Sequence, residues 1–226
     1  MPVRVRPCNN ALKHTVHLNR VKSADFVLPI KKKKIHVIEI HASQITTGDL
    51  QESFKTTENY QSAEESSKNR SSKDGYSKIA AVERHHNAGK IGIAVAKGYG
   101  IVNGAVASSV SHDSHNIIVI GDNDNDMAIA VNELIRTQGG YTVVENGSVY
   151  DTLALPIMGL MSDAGFNKVN EKLQRMIKKA HNMGVSEEVD PFITLSFLAF
   201  PVIPELRITP RGLYKMTAKG PEILNL

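Results

Sequence analysis

The side chains best suited to chemistry lie in one run, His112-Asp113-Ser114-His115-Asn116. A carboxylate beside an imidazole can orient it as a base, or the two can share a metal ion. In an extended chain Asp113 and His115 share one face, and His112 and Ser114 share the other. The alternative is a strand edge whose polar groups bond to neighbouring loops. A second cluster is Glu83-Arg84-His85-His86-Asn87. Its carboxylate and guanidinium could position a substrate or pair with each other. Adjacent strand residues point to opposite faces, so His85 and His86 cannot ligate one ion without a turn. A polar strand end is the alternative here.

Two weaker patterns accompany these. Asp122-x-Asp124-x-Asp126 with Glu133 partly matches the ligand spacing of a calcium loop, but Met127 stands where the loop needs glycine. The same acids also make a good helix start. The glycines from Gly89 to Gly104 match neither the dinucleotide fingerprint nor a phosphate loop, and read as tight turns. The chain has no His-x-His pair, no His-Glu-x-x-His and no Gly-x-Ser-x-Gly. Cys8 is its one cysteine, which excludes a disulfide framework and a multi-cysteine zinc site within one chain. No residue is therefore assigned as a metal ligand.

These clusters need elements to hold them. Residues 117–120, Ile-Ile-Val-Ile, read as a buried strand that starts where the first cluster ends. Residues 79–82 read as a strand leading into Glu83. Further strands are expected at 91–95 and 105–110, joined through glycines at 98, 100 and 104. A helix follows Asp122 or Asn123, either of which can cap it. Met127, Ala130, Val131, Leu134 and Ile135 share one of its faces, and Gly139-Gly140 ends it. A hairpin is expected about Asn146-Gly147, and a second helix over 167–182. The fold class predicted is α+β, with a mixed or antiparallel sheet and flanking helices.

Three zones emerge. Residues 1–41 hold short apolar runs at 15–18, 26–28 and 35–40 that read as strands of a partial β-sandwich. Residues 42–78 read as a polar loop or linker, because 51–74 has too little apolar surface to repay ordering. Residues 79–226 read as the packed domain. Unpaired strand edges in 1–41 would favour association, so a homo-oligomer is one expectation.

The composition is that of a globular protein, 41% hydrophobic and 22% charged. Aromatics at 5% and the lack of Trp argue against a base-stacking surface. The net charge of +4 owes much to Lys31–Lys34. That run reads as a solvated loop or strand edge, and nucleic acid is the lesser alternative. Residues 1–6 begin no signal peptide, and the apolar stretch 191–204 is too short to span a bilayer. No membrane association and a cytoplasmic location are expected.

The block Ala107-Ser108-Ser109-Val110-Ser111-His112-Asp113-Ser114-His115-Asn116-Ile117-Ile118-Val119-Ile120-Gly121 resembles a diagnostic block of adenine deaminases in the amidohydrolase superfamily. Glu83-Arg84-His85-His86 with Lys97-Gly98-Tyr99-Gly100 resembles the segment before it. Leu155-Pro156-Ile157-Met158-Gly159-Leu160-Met161-Ser162, then Asp190-Pro191-Phe192-Ile193-Thr194-Leu195-Ser196-Phe197-Leu198, then Pro201-Val202-Ile203-Pro204-Glu205-Leu206 continue it in order. The resemblance covers about residues 79–213, and more weakly 15–45. It implies hydrolysis of adenine to hypoxanthine and ammonia, with a metal-activated hydroxide attacking the amino-bearing carbon. The manganese, iron or zinc ion of such an enzyme is implied to sit on an N-terminal amidohydrolase barrel, a domain or subunit that this sequence does not contain. The resemblance also implies that Asp113 and His115 serve a pocket or domain interface, with Glu83, Arg84, His112 and Asn116 as candidate adenine-binding residues.

Overall fold

The computed structural model describes residues 10–28, 30, 34–53 and 75–224. Its centre is an eight-stranded sheet in the order β2-β1-β4-β3-β6-β5-β7-β8. The strands are β1 Lys34–Ile40, β2 Thr47–Ser53, β3 Tyr76–Val82, β4 Ile91–Lys97, β5 Gly104–Ser108, β6 Ile117–Gly121, β7 Gly140–Glu145 and β8 Ser148–Ala154. Every pairing is antiparallel except β1 with β4, which is parallel. The sheet is mixed and the class α+β, as the sequence predicts.

The middle strands are buried on both faces, and alternation sorts their side chains. Ile79, Ala81, Ile118, Ile120 and Val106 point to one core. Ala80, Val82, Ile117, Val119, Ala105 and Ala107 point to the other. Helix α1, Asp124–Thr137, covers the second face with Met127, Ala130, Val131 and Leu134. Asn123 caps it, accepting from the Asp126 amide at 2.8 Å. The first face carries α2, Phe166–Asn182, the short α3, Ile193–Leu198, and a three-stranded antiparallel sheet. That sheet comprises β9 Leu206–Thr209, β10 Gly212–Thr217 and β11 Gly220–Leu224.

The acids of the calcium-like pattern are spent on the fold. Asp122 accepts from the Gly104 amide at 2.9 Å, and Asp126 accepts from the Gly147 amide at 2.8 Å. Asp124 is buried against the Lys78 ammonium. They serve a helix start and the loops beside it. In the hairpin turn, Asn146 and Gly147 both take positive φ, 50° and 77°, as a two-residue turn matched to strand twist requires.

Three expectations need correction. Of the expected N-terminal strands, only the one at 35–40 forms, as β1, and it joins the central sheet rather than a separate sandwich. Residues 15–18 pair with no strand, and Phe26 ends a 3-10 turn, Ser23–Phe26. The reason is that α1, the Gln138 residue that caps its end, and Arg84, whose carbonyl accepts from the His17 amide at 2.7 Å, supply the partners. Gln138 Oε1 accepts from the Val16 amide at 3.1 Å. Asn132 accepts from the Val21 amide at 3.0 Å and donates to its carbonyl at 2.9 Å. Val16, Val21 and Phe26 then pack onto that helix. Within the supposed linker, Thr47–Ser53 forms β2. An edge strand has one ladder and little buried surface, so a polar sequence suffices there. Residues 54–74 lie outside the described residues, as do Cys8 and Lys31 to Lys33. The third correction concerns the glycine-rich connection from β4 to β5, which is not a tight turn between neighbours. In the sheet, β3 and β6 stand between those two strands.

Candidate functional site

Residues 112–116 do not extend into β6. His115 sits at φ 48°, and its amide donates to the Ser111 carbonyl at 2.6 Å. The run is therefore a tight corner, and Asp113 and His115 do not share a strand face. The Ser111 amide donates to His115 Nδ1 at 3.3 Å, which leaves the ring proton on Nε2. The backbone thus orients the imidazole. Burial, then the charges of His112 and Arg84, hold the His115 pKa below its ordinary value, with Asp113 opposing and His85 assisting. The ring is accordingly neutral at pH 7.

Asp113 is open to solvent, with 78% of its side chain exposed. Its carboxylate is 3.9 Å from His112 Nδ1. His112 is anchored behind it. Its amide donates to the Ser196 carbonyl of α3 at 3.0 Å, and its ring packs 5.1 Å from that of Phe197. Asn116 is buried at the start of β6, where its Oδ1 accepts from the Arg84 amide at 3.3 Å. Its amide nitrogen donates to Ser114 Oγ at 3.0 Å.

The Glu83–Asn87 cluster divides in two. Arg84 is 2% exposed. Its guanidinium donates to the carbonyls of His115, Thr15 (3.1 Å) and Met158 (2.9 Å). Burial brings its pKa down to about 10, partly offset by Glu83, so it stays charged at neutral pH. Arg84 thus ties three segments together beneath the corner and does not face the solvent. Gly159 lets this happen, since a Cβ there would stand 2.9 Å from Arg84 Nη1. The Glu83 carboxylate accepts from the amides of His85, His86 and Ala88 at 2.7, 3.0 and 3.2 Å. Burial raises its pKa, but those amides outweigh burial and hold it below the ordinary value. Glu83 therefore shapes its own loop. His85 Nε2 joins this loop to the corner, 2.7 Å from the Ser114 carbonyl.

The two clusters meet at an open cleft of about 670 Å³. Glu83, His86, Asp113, Ser114 and Asn116 line one part of it. Phe200, Pro201, Val202, Pro210, Tyr214 and Pro221 supply an apolar part. Arg84, His112 and His115 are not part of this lining. Sequence reasoning missed the apolar part, although the proline-punctuated stretch 201–204 and the turn at 209–212 were there as signals. Among the described residues no three His, Cys, Asp or Glu side chains group to hold a metal ion.

The sequence profile of the adenine deaminase C-terminal domain matches residues 44–220. The chain belongs to that family. The adenine deaminase of Desulfitobacterium hafniense (strain Y51) is 42% identical over 219 residues, covering 94% of this chain and 36% of that protein. The adenine deaminase of Petrotoga mobilis is 42% identical over 201 residues, covering 89% of this chain and 34% of its own length. The adenine deaminase of Clostridium acetobutylicum is 39% identical over 209 residues, with shares of 89% and 34%. The chain thus spans about a third of the length of these curated relatives. Within the adenine deaminase C-terminal domain, the corner at 112–116 and Arg84 itself both fall inside the matched region. No helix among the described residues is long and apolar enough to cross a membrane.

Proposed function

We propose that this chain is the C-terminal part of an adenine deaminase, converting adenine and water to hypoxanthine and ammonia together with a metal-binding barrel polypeptide. The family match over residues 44–220 carries this reading. In this reading a manganese, iron or zinc ion would be held by the barrel. Asp113 projects from a corner whose backbone is fixed by Arg84 and Ser111, which suits a group presented to a neighbouring domain. His115, neutral and held through Nδ1, keeps Nε2–H as its donor. Asn116 and Ser114 offer hydrogen bonds at the cleft. Arg84 and Glu83 act on substrate only by positioning the corner and its flanking loop. A cytoplasmic place in purine salvage belongs to the same reading.

The test is hypoxanthine release with Mn²⁺, Fe²⁺ or Zn²⁺, with and without the barrel polypeptide of a relative. Release is expected only with the barrel. Turnover by this chain alone would overturn the requirement for a partner. No turnover with any metal and barrel would favour a non-catalytic interaction module. With activity in hand, Asp113→Asn and His115→Ala should each lower it, and unchanged rates in both would remove them from the pocket.

A further inference from the structure

The cleft has a feature that adenine hydrolysis leaves unused. Lys90 and Arg211 line it, and both are exposed. Among the described residues neither forms an ion pair, whereas Lys13, Lys97, Lys172, Lys179 and Lys215 all do. The two cations occupy abutting segments. Lys90 lies two residues before Gly92, and Arg211 lies in the turn from Thr209 to Gly212. That turn sits directly on Gly92, where a Cβ would come within 1.9 Å of the Thr209 carbonyl oxygen. Packing of β4 beneath the β9–β10 turn therefore brings two unpaired positive charges to one corner.

Beside them stand the Phe200 and Tyr214 rings and the Pro201, Pro210 and Pro221 rings. Beyond these are the hydrogen-bonding groups of Ser114 and Asn116. A cleft of about 670 Å³ falls within the size range of small-molecule sites, and flat apolar walls with a few polar groups match their usual lining. The chemistry asked for is a planar ring system joined to an anion. Two cations favour a phosphate, which an arginine fork binds well. Two carboxylates also line the cleft: loop amides occupy that of Glu83, and that of Asp113 stands 3.9 Å from His112 Nδ1.

We infer that this cleft binds a purine nucleoside monophosphate, with the base against the Phe200 and proline walls and the phosphate between Lys90 and Arg211. The choice of purine rests on the adenine deaminase reading, and the phosphate rests on the two cations alone.

The test is calorimetric titration of the full chain with AMP, adenosine and inorganic phosphate. AMP is expected to bind at least tenfold more tightly than either adenosine or phosphate. Lys90→Met and Arg211→Met should each weaken AMP by about tenfold, and the affinity should fall with added salt. Both positions are exposed, so the variants should unfold at the wild-type temperature. Absence of AMP binding, equal binding of phosphate and AMP, or unchanged AMP affinity in both variants would overturn the inference. Adenine turnover with a barrel is scored separately. Turnover without AMP binding defeats this inference alone, and AMP binding without turnover defeats the catalytic reading alone.

Discussion

Arg84 Nη2 donates to the Met158 carbonyl at 2.9 Å, joining residues 74 positions apart. Through Nε the same guanidinium reaches the His115 carbonyl, and through Nη1 it reaches Thr15. One buried cation thus sets the height of the corner carrying Asp113 above the sheet. Among the described residues no carboxylate is hydrogen-bonded to it, and three carbonyl dipoles replace the solvation it gave up.

Removing that tie has a large expected effect. Arg84→Met strands those carbonyls and should lower stability by about 3 kcal/mol. Arg84→Lys should recover less than half of the loss, because an ammonium cannot span three diverging acceptors as a planar fork does. Urea unfolding measures both. A loss below about 0.5 kcal/mol in Arg84→Met would show that the carbonyls find other partners.

The His115 imidazole makes stability depend on pH in a definite direction. Burial, and then His112 and Arg84, hold its folded pKa below the unfolded value of about 6.5. The unfolded chain then binds the proton more readily. The contribution of His115 is complete above the unfolded pKa and is lost as pH falls through the folded one. His115→Asn keeps a residue tolerant of positive φ and removes the titration. The difference in unfolding free energy between wild type and variant should shrink or reverse from pH 8 to pH 5. A difference that does not change with pH would contradict the expectation.

Gly92 is a close-packing site between β4 and the small sheet. A Cβ there would meet Thr209 O at 1.9 Å and Gly212 N at 2.7 Å, both backbone atoms that cannot swing aside. Gly92→Ala should therefore cost about 1–3 kcal/mol. Faster amide exchange in β9 and β10 is expected with it, because the turn must lift. Exchange unchanged in those strands would mean that β4 moves instead.

Local sequence alone determined much of this protein. The β-branched run 117–120 had to be a buried strand, Asp122 or Asn123 had to start a helix, and Asn146-Gly147 had to turn a hairpin. Each is settled by short-range sterics or by one hydrogen bond. The family was legible as well, in blocks that the match over 44–220 bears out. What the sequence did not show were partners supplied from far along the chain. Residues 15–18 look like a strand until Asn132 of α1 and Gln138 at its C-cap take up the amides around them. Thr47–Ser53 looks like a linker until β1 offers it an edge. At the site, the difference lies in where charge is placed. The Glu83–Arg84 pair looks like substrate-binding machinery, yet packing buries the guanidinium among three carbonyls and closes the carboxylate over its own loop. Asp113 and His115 were singled out by residue type, but the turn at His115 decided that they share no strand face. Lys90 and Arg211 are unremarkable as residues, and only the seating of one turn on Gly92 makes them neighbours.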